Sequence, residues 1–204
     1  MLEYTIEQEL WNEGYQLVCG VDEAGRGPLC GPVVAAAVIL PRGLYIEGLN
    51  DSKKISPKKR DKLFDVICES AIAFSIQQGS VEEINSTNIL EATMNAMKRA
   101  IASLEPRADF ALVDGNIARD FPIPAKPVIS GDAISPSIAA ASILAKVTRD
   151  RLCLEMHERF PMYNIAKHKG YGTKEHMDAL RKYGAEPSIY RTKFIRFLDK
   201  DGEN

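Results

Sequence analysis

Two adjacent carboxylates, Asp22 and Glu23, end an apolar stretch of the chain, and a glycine-flanked arginine follows them at once. The apolar residues are typical of a buried strand, whereas ionised acids at its end need cationic partners or a metal ion. Arg26 offers a rigid fork of donors, and Gly25 and Gly27 leave room for a ligand to approach the main chain. Acids that bind metal beside an arginine that binds phosphate suit phosphodiester chemistry. The alternative, a strand end with a solvated acidic turn, is weakened by the attached Gly-Arg-Gly.

Two more acids, Asp114 and Asp132, follow other short apolar segments, so that an acid stands at or near the end of three predicted strands. Hard divalent cations such as Mg²⁺ or Mn²⁺ take oxygen ligands of this kind. Two such ions about 3.5–4 Å apart activate a water and stabilise the leaving oxygen of an in-line displacement. Adjacent strand residues point to opposite faces. We therefore expect Asp22 and Glu23 to share a site only if the chain turns or twists there.

Other catalytic patterns fit poorly. The spacing from Gly20 to Gly25 is close to that of a P-loop, but Arg-Gly follows where a P-loop has Lys and Ser or Thr. There is no dinucleotide-binding fingerprint and no GxSxG motif. The three histidines lack zinc-site spacing, so we interpret them as packing or hydrogen-bonding residues. The four cysteines lack CxxC pairs and stand in apolar contexts, so we interpret them as reduced core residues.

Composition favours a globular protein of 204 residues, with 45% hydrophobic and 26% charged residues. We expect a main domain over residues 1–160 and a helical extension over residues 161–204. The net charge of -2 gives no global signal for nucleic acid, but residues 146–204 carry 13 Lys and Arg against 9 Asp and Glu. The longest apolar run is too short to span a bilayer, and acids interrupt any signal-peptide core. A cytoplasmic protein that does not contact membranes is expected.

The hydrophobic pattern predicts strands over residues 17–23, 32–40, 71–77, 110–114 and 127–131. The short link between the first two favours antiparallel pairing. Helices are predicted over residues 5–16, from Ser56 onwards, after Ser80, over 88–104, over 135–160, and from Thr173 to about Gly184. Basic and apolar residues alternate over residues 188–198, for which we predict a final helix.

The chain resembles bacterial ribonuclease HII in a series of blocks that occur in the order typical of that family. They extend over residues 17–180, which is most of the chain. These blocks are Asp-Glu-Ala-Gly-Arg-Gly at 22–27, Asp-Ser-Lys-Lys at 51–54, Val-Asp-Gly at 113–115, Gly-Asp at 131–132, Ser-Ile-Ala-Ala-Ala-Ser-Ile-Leu-Ala-Lys-Val-Thr-Arg-Asp at 137–150 and Lys-Gly-Tyr-Gly-Thr at 169–173.

That resemblance implies an α/β protein with an RNase H-like fold, a mixed five-stranded sheet flanked by helices and a small helical part at the carboxyl end. It implies an endonuclease that cleaves the RNA strand of RNA–DNA hybrids and incises at single ribonucleotides embedded in duplex DNA, as in ribonucleotide excision repair. The implied partner is therefore nucleic acid, and we expect the protein to act as a monomer.

The resemblance also assigns roles. The acidic tetrad, implied to bind Mn²⁺ or Mg²⁺ with two ions per site in the presence of substrate, maps onto Asp22, Glu23, Asp114 and Asp132. The Gly-Arg-Gly motif, implied to read the 2′-hydroxyl, maps onto Gly25, Arg26 and Gly27, and the tyrosine that stacks at the RNA–DNA junction matches Tyr171. Ser142 and Lys146 are the further predicted substrate contacts.

Two positions differ from the family pattern. Ser130 stands where many members have lysine, and Tyr-Arg-Thr-Lys-Phe at 190–194 replaces a more usual His-Arg-x-Ser-Phe. Two other functions remain open: a related nuclease or strand-transfer enzyme that acts on DNA alone, and a hybrid-binding module whose acids are structural.

Overall fold

The sheet consists of β1 (Val18–Ala24), β2 (Val33–Ile39), β3 (Ala73–Gly79), β4 (Phe110–Asp114) and β5 (Ala125–Val128). The computed structural model describes residues 2–52 and 55–198. The strand order is β3-β2-β1-β4-β5. β1 pairs antiparallel with β2 and parallel with β4, β2 pairs antiparallel with β3, and β4 pairs parallel with β5. The predicted α/β class with a mixed five-stranded sheet is confirmed.

Helices surround or extend this sheet. They are α1 (Thr5–Asn12), α2 (Pro57–Ser70), α3 (Val81–Ser86), α4 (Ile89–Ala102), α5 (Pro136–Arg159), α6 (Ile165–His168) and α7 (Lys174–Tyr183). One core lies between the sheet and α5 with α2, and a second lies between the opposite face of the sheet and α4. The helix predicted over residues 135–160 is thus confirmed as α5, the longest of the described helices.

Small residues bring α5 close to β1, the central strand. A side-chain carbon added to Gly20 would lie 2.1 Å from the main chain of Ser137, so only glycine fits there. Three consecutive alanines, residues 139–141, are fully buried on the helix side of the same contact. This close approach packs the middle of β1 against the first turn of α5, and the site forms farther along both elements, where Asp22 meets Ser142.

Four of the described helices begin with a side-chain N-cap of a residue type that favours this position. The side chains of Ser80, Asn88, Ser135 and Thr173 each accept a main-chain N–H in the first turn of the following helix. Such caps stabilise a helix by about 1 kcal/mol each. Ser56 precedes α2 as predicted, but its side chain makes no capping bond within the described part of the chain.

Two predicted elements are wrong. The strand predicted over residues 127–131 lies earlier, at Ala125–Val128, and Asp132 belongs to a 3₁₀ turn, Gly131–Ala133. The final helix predicted over residues 188–198 does not form over residues 188–196, which hold a 3₁₀ turn, Thr192–Phe194, and a β-bridge between Tyr190 and Cys30. Helical conformation begins only at residue 197, at the end of the described part of the chain. Arg191, one of its alternating basic residues, is fully buried.

Lys53 and Lys54, part of a block that carries the resemblance, lie outside the described residues. The division at residue 160 stays a prediction, although α5 ends at Arg159, next to it. None of the helices in residues 2–52 and 55–198 is long and apolar enough to cross a membrane.

Candidate active site

One cavity of about 320 Å³ opens at the carboxyl ends of β1 and β4. It brings together nearly all the residues that the sequence singled out. Its lining includes Asp22, Glu23, Gly25, Arg26, Gly27, Asp114, Ser142, Lys146 and Tyr171, together with Ser52, Arg149, Asp150 and Lys169. Asp132 is the one predicted site residue that is not part of the lining.

Asp22 and Glu23 reach this cavity from opposite faces of the sheet. We expected a shared site to need a turn or a twist of the chain. β1 stays paired with β2 through Ala24, so the chain does not turn between the two acids. Asp22 lies on the α5 side, where its carboxylate interacts with the Ser142 hydroxyl. Glu23 lies on the α4 side and also borders a shallow depression of about 50 Å³ lined by residues of α4.

Asp114 joins the two acids because it ends β4, the parallel neighbour of β1. It lines both the cavity and the depression on the α4 side. The site therefore wraps around the end of the sheet, and the alternation of strand side chains places one acid on each side of it.

The carboxylates of Asp22, Glu23 and Asp114 repel one another. Burial, and then the charges of Glu23 and Asp114, raise the pKa of Asp22 well above its ordinary value. Burial also raises the pKa of Glu23, against the opposing effect of Arg26 and with a further contribution from Asp114. Bringing a cation to these carboxylates would relieve the repulsion, since an opposite charge favours the ionised form.

Asp132 is buried in a turn whose main chain contacts Asp114. The amide of its neighbour Gly131 donates to Asp114 Oδ1 at 2.7 Å. A side-chain carbon on Gly131 would lie 2.5 Å from Ile138 and 3.2 Å from that same oxygen. Ser130, where the family pattern often has lysine, precedes it in a left-handed conformation with φ of 54°. The turn thus couples Asp132 to Asp114 through the main chain.

The donor chemistry fits a hard divalent cation, because three mutually repelling carboxylates share one cavity. A complete protein ligand set is not preformed: within residues 2–52 and 55–198, no three His, Cys, Asp or Glu side chains are arranged to hold one metal ion. Mg²⁺ commonly binds through one or two carboxylates and completes its shell with waters and substrate phosphates. The arrangement is of that open kind.

The loop after β1 forms a second wall of the cavity. Gly25 adopts φ of +97°, and a side-chain carbon there would lie 2.7 Å from Arg149 Nε, so glycine is required by both backbone and space. Arg26 extends its half-exposed side chain back to Glu23, with 3.2 Å between Nη1 and Oε1. A side-chain carbon on Gly27 would lie 3.4 Å from the ring of Tyr171. The loop and the tyrosine thus face each other across a narrow gap.

Comparison with known proteins decides the family. Residues 19–197 match the family model described as Ribonuclease HII. The chain belongs to the ribonuclease HII family. Ribonuclease HII of Acetivibrio thermocellus is 53% identical over 190 residues, covering 93% of this chain and 74% of that protein. Ribonuclease HII 1 of Methylibium petroleiphilum is 57% identical over 177 residues, covering 87% of this chain and 89% of that protein.

Solved structures agree. Ribonuclease H2 from Pyrococcus horikoshii superposes with a TM-score of 0.76 at 25% identity, covering 93% of this chain and all of that one. A Bst-RNase HIII in complex with Mn²⁺ shares the fold, with a TM-score of 0.66 at 17% identity over 93% of this chain and 71% of that one. The chain is accordingly a ribonuclease H, an endoribonuclease that acts on RNA–DNA hybrids.

Two histidines support the tyrosine of this ribonuclease HII site. The Gly170 amide donates to His168 Nδ1 at 3.2 Å, and His176 Nδ1 lies 2.9 Å from the Tyr171 carbonyl oxygen. The two imidazoles stack with their centroids 4.1 Å apart, and His176 Nε2 lies 2.8 Å from the Tyr190 hydroxyl. The predicted hydrogen-bonding role of these histidines is confirmed, and it leaves the ring of Tyr171 half-exposed at the cavity.

The remaining predicted contacts, Ser142 and Lys146, lie on α5 and line the cavity. Ser142 Oγ is 2.9 Å from Ser52 Oγ, so the buried serine pair joins the loop at residue 52 to the helix beside Asp22. Lys146 Nζ pairs with Asp150 Oδ1 at 2.6 Å. Their roles toward substrate stay predictions.

The sequence reasoning missed two buried arginines of the ribonuclease HII fold. Arg149 lines the cavity, and Arg191 holds the loop after β1 from behind. Arg149 stands in a recognised block without an assigned role, and Arg191 stands in the segment that departs from the family pattern. Both arginines have apolar residues near them in the sequence, which was the available signal. That pattern alone does not show whether an arginine is buried.

Proposed function

We propose that the protein hydrolyses the RNA strand of RNA–DNA hybrids and also incises at single ribonucleotides in duplex DNA, with divalent cations held by the acidic tetrad. The observation that carries this proposal is the convergence of Asp22, Glu23 and Asp114 on one cavity, beside a glycine-rich loop and an exposed tyrosine. Asp132, buried one residue beyond the amide that binds Asp114, completes the tetrad.

Mn²⁺ or Mg²⁺ is the cofactor proposed, two per site with substrate bound. When bound, such cations lower the pKa of an attacking water and stabilise the departing 3′-oxygen. Support comes from the carboxylate chemistry of the cavity and from the Mn²⁺ complex of the RNase HIII with the same fold. The protein's own part is to hold the acids around the end of the sheet, where Arg26 favours the ionised form of Glu23 against the effect of burial.

Recognition of a single ribonucleotide needs a group that tells ribose from deoxyribose. The 2′-hydroxyl is the local difference between the two, and it both donates and accepts hydrogen bonds. We assign its reading to the main chain of Gly25, Arg26 and Gly27, which lines the cavity. Tyr171 faces the same gap and is assigned to stack at the junction.

Phosphate contacts fall to the basic residues of the same cavity. Lys146 and Lys169 line it with Arg149, while Ser142 borders Asp22. Such contacts position a duplex without reading its sequence. We assign Lys146 and Ser142 to the substrate strand near the acids. Nucleic acid is the proposed partner, with the protein acting as a monomer.

The test compares three labelled duplexes of one sequence: all-DNA, DNA with one embedded ribonucleotide, and DNA paired with RNA. With Mn²⁺ or Mg²⁺, the folded protein should incise the last two and leave the first intact. The all-DNA duplex separates this proposal from a DNA nuclease with the same acids. Equal cutting of all three duplexes, or binding without any cutting, would refute the proposal and favour the DNA nuclease or the binding module respectively.

A further inference from the structure

The loop over residues 25–31 carries the proposed ribose-reading main chain but has no regular secondary structure. It leaves the sheet at Ala24 and rejoins it at Val33. Two of its amides are tied to distant segments: Leu29 N–H donates to the Gly170 carbonyl at 2.8 Å, and Gly31 N–H donates to the Ile189 carbonyl at 2.7 Å. Its conformation therefore depends on residues far along the chain.

Arg191 supplies most of that dependence. Its Nη2 donates to the carbonyl of Gly25 at 2.7 Å, and its Nη1 donates to those of Arg26 at 3.0 Å and Pro28 at 2.8 Å. Its Nε donates to the carbonyl of Gly31 at 2.9 Å. One fully buried guanidinium thus binds four carbonyls of a seven-residue loop.

A second arginine completes this arrangement. Arg149 Nη2 donates to the Cys30 carbonyl at 2.8 Å, and its Nη1 contacts Cys153 Sγ. Burial and the nearby charge of Arg149 lower the pKa of Arg191 to about 10, so the Arg191 guanidinium stays charged at neutral pH. Burying two like charges is costly unless their donors find partners. Here loop carbonyls accept from Nε, Nη1 and Nη2 of Arg191 and from Nη2 of Arg149.

Arg191 binds the carbonyls of the loop, whereas two of the loop's amides stay unpaired beside the cavity in the part of the chain that the structure describes. Within the described residues, the amides of Arg26 and Gly27 have no hydrogen-bond partner, and both residues line the cavity. Successive free N–H groups in a bent main chain form a concavity that attracts anionic or oxygen ligands. Arg191 itself does not line the cavity, so any effect it has on substrate acts through the loop.

We propose that Arg191 is a positioning residue for substrate recognition, which fixes the main chain of residues 25–31 so that its amides can read the ribose. This inference rests on the proposed function, because it gives a structural cause for ribose selectivity at the same site. Lysine at this position would keep the charge but not the fork of donors that reaches several carbonyls.

The test measures kcat and KM for Arg191→Lys and Arg191→Ala on the duplex with one embedded ribonucleotide. We expect kcat/KM to fall by about 10- to 100-fold, the range for misplacement of a bound group by about 1 Å, with lysine less affected than alanine. The metal concentration for half-maximal activity should not change. If Arg191→Ala does not fold, Arg191→Lys carries the test.

Two controls separate positioning from general destabilisation. Arg196→Lys makes the same exchange at an exposed site of the same segment, and Leu104→Ala weakens the core near the end of α4, remote from the cavity. Below the unfolding temperature of each variant, both controls should keep the wild-type kcat/KM. Amide hydrogen exchange should quicken at Leu29 and Gly31 in the Arg191 variants alone.

Wild-type kcat/KM in the folded Arg191 variants, or a loss that merely follows the unfolded fraction as in Leu104→Ala, would overturn the inference. The two hypotheses fail differently. If the wild-type protein does not incise the ribonucleotide duplex, the proposed function fails; if it does and the Arg191 variants do equally, only the positioning role fails.

Discussion

The acids at the end of the sheet and the loop over residues 25–31 border the same cavity but are held in place by different means. Asp22, Glu23 and Asp114 stand on paired strands, so their positions follow from sheet register and from the packing of α5. The loop has no such register, and Arg191 holds it from a position 160 residues beyond Gly31.

This difference separates two properties of the enzyme. Carboxylates on strands can be positioned by local sequence and by the sheet alone. A main chain that reads a hydroxyl needs support along its whole length, and here that support comes from the last described segment of the chain. Catalysis should therefore be most sensitive at the strands, and selectivity should be most sensitive at the loop and its supports.

The largest effect is expected from Asp22→Asn. Removing one of the converging charges should lower cleavage of the ribonucleotide duplex by at least about 1,000-fold, because several kcal/mol of stabilisation depend on the bound cation. Duplex binding, measured by anisotropy, should stay close to wild type. Asp61→Asn, at an exposed residue of α2, is the matched control. Retained cleavage in Asp22→Asn would remove it from the tetrad.

A second substitution tests the loop side of the comparison. Gly25→Ala and Gly14→Ala both force alanine to a positive φ, +97° and +107° respectively. Both should lose about 1–2 kcal/mol of stability from this strain. Only Gly25→Ala also meets Arg149, so it alone should lose cleavage, by about 10- to 100-fold. Equal activity of the two variants would show that the loop tolerates displacement.

Tyr171→Ala should have a smaller and more selective effect. Loss of stacking at one sugar or base is worth about 1–3 kcal/mol, so cleavage at a single ribonucleotide should fall roughly tenfold. Tyr171→Phe should keep most activity, and Tyr183→Ala, at an equally exposed tyrosine of α7, should keep all of it. Undiminished cleavage by Tyr171→Ala at the single ribonucleotide would refute its junction role.

The smallest effect concerns pH. Burial and then the charge of His168 lower the pKa of His176 to about 4, below its ordinary value of about 6.5. The unfolded chain binds the proton more tightly, so stability from this group is complete above pH 6.5 and declines as pH falls toward 4, by roughly 2 kcal/mol.

Urea unfolding at several pH values checks this. His176→Gln cannot titrate, so its stability should vary less than that of the wild type between pH 4 and 6.5. Parallel curves for the two proteins would contradict the account of the neutral histidine pair beneath Tyr171.

Sequence patterns predicted most of the sheet and α5, because apolar periodicity and N-caps such as Ser135 act locally. They also brought Asp22, Glu23 and Asp114 to one site. They did not reveal how Asp22 and Glu23 share the site. That depends on Asp114, which ends β4 beside β1 and borders both the main cavity and the depression on the α4 side of the sheet. Arg191 escaped because its burial results from carbonyls contributed by residues 25–31, which no local pattern connects to residue 191.

The most direct test of the central claim is cation-dependent incision of a duplex that carries one ribonucleotide. Protein freed of metal by chelation is assayed alone and with added Mn²⁺ or Mg²⁺, beside Asp22→Asn. The account predicts one cut at the ribonucleotide only when the cation is present, leaving a 3′-hydroxyl, and no cut by Asp22→Asn. Incision by the chelated protein, or equal incision of the all-DNA duplex, would contradict it.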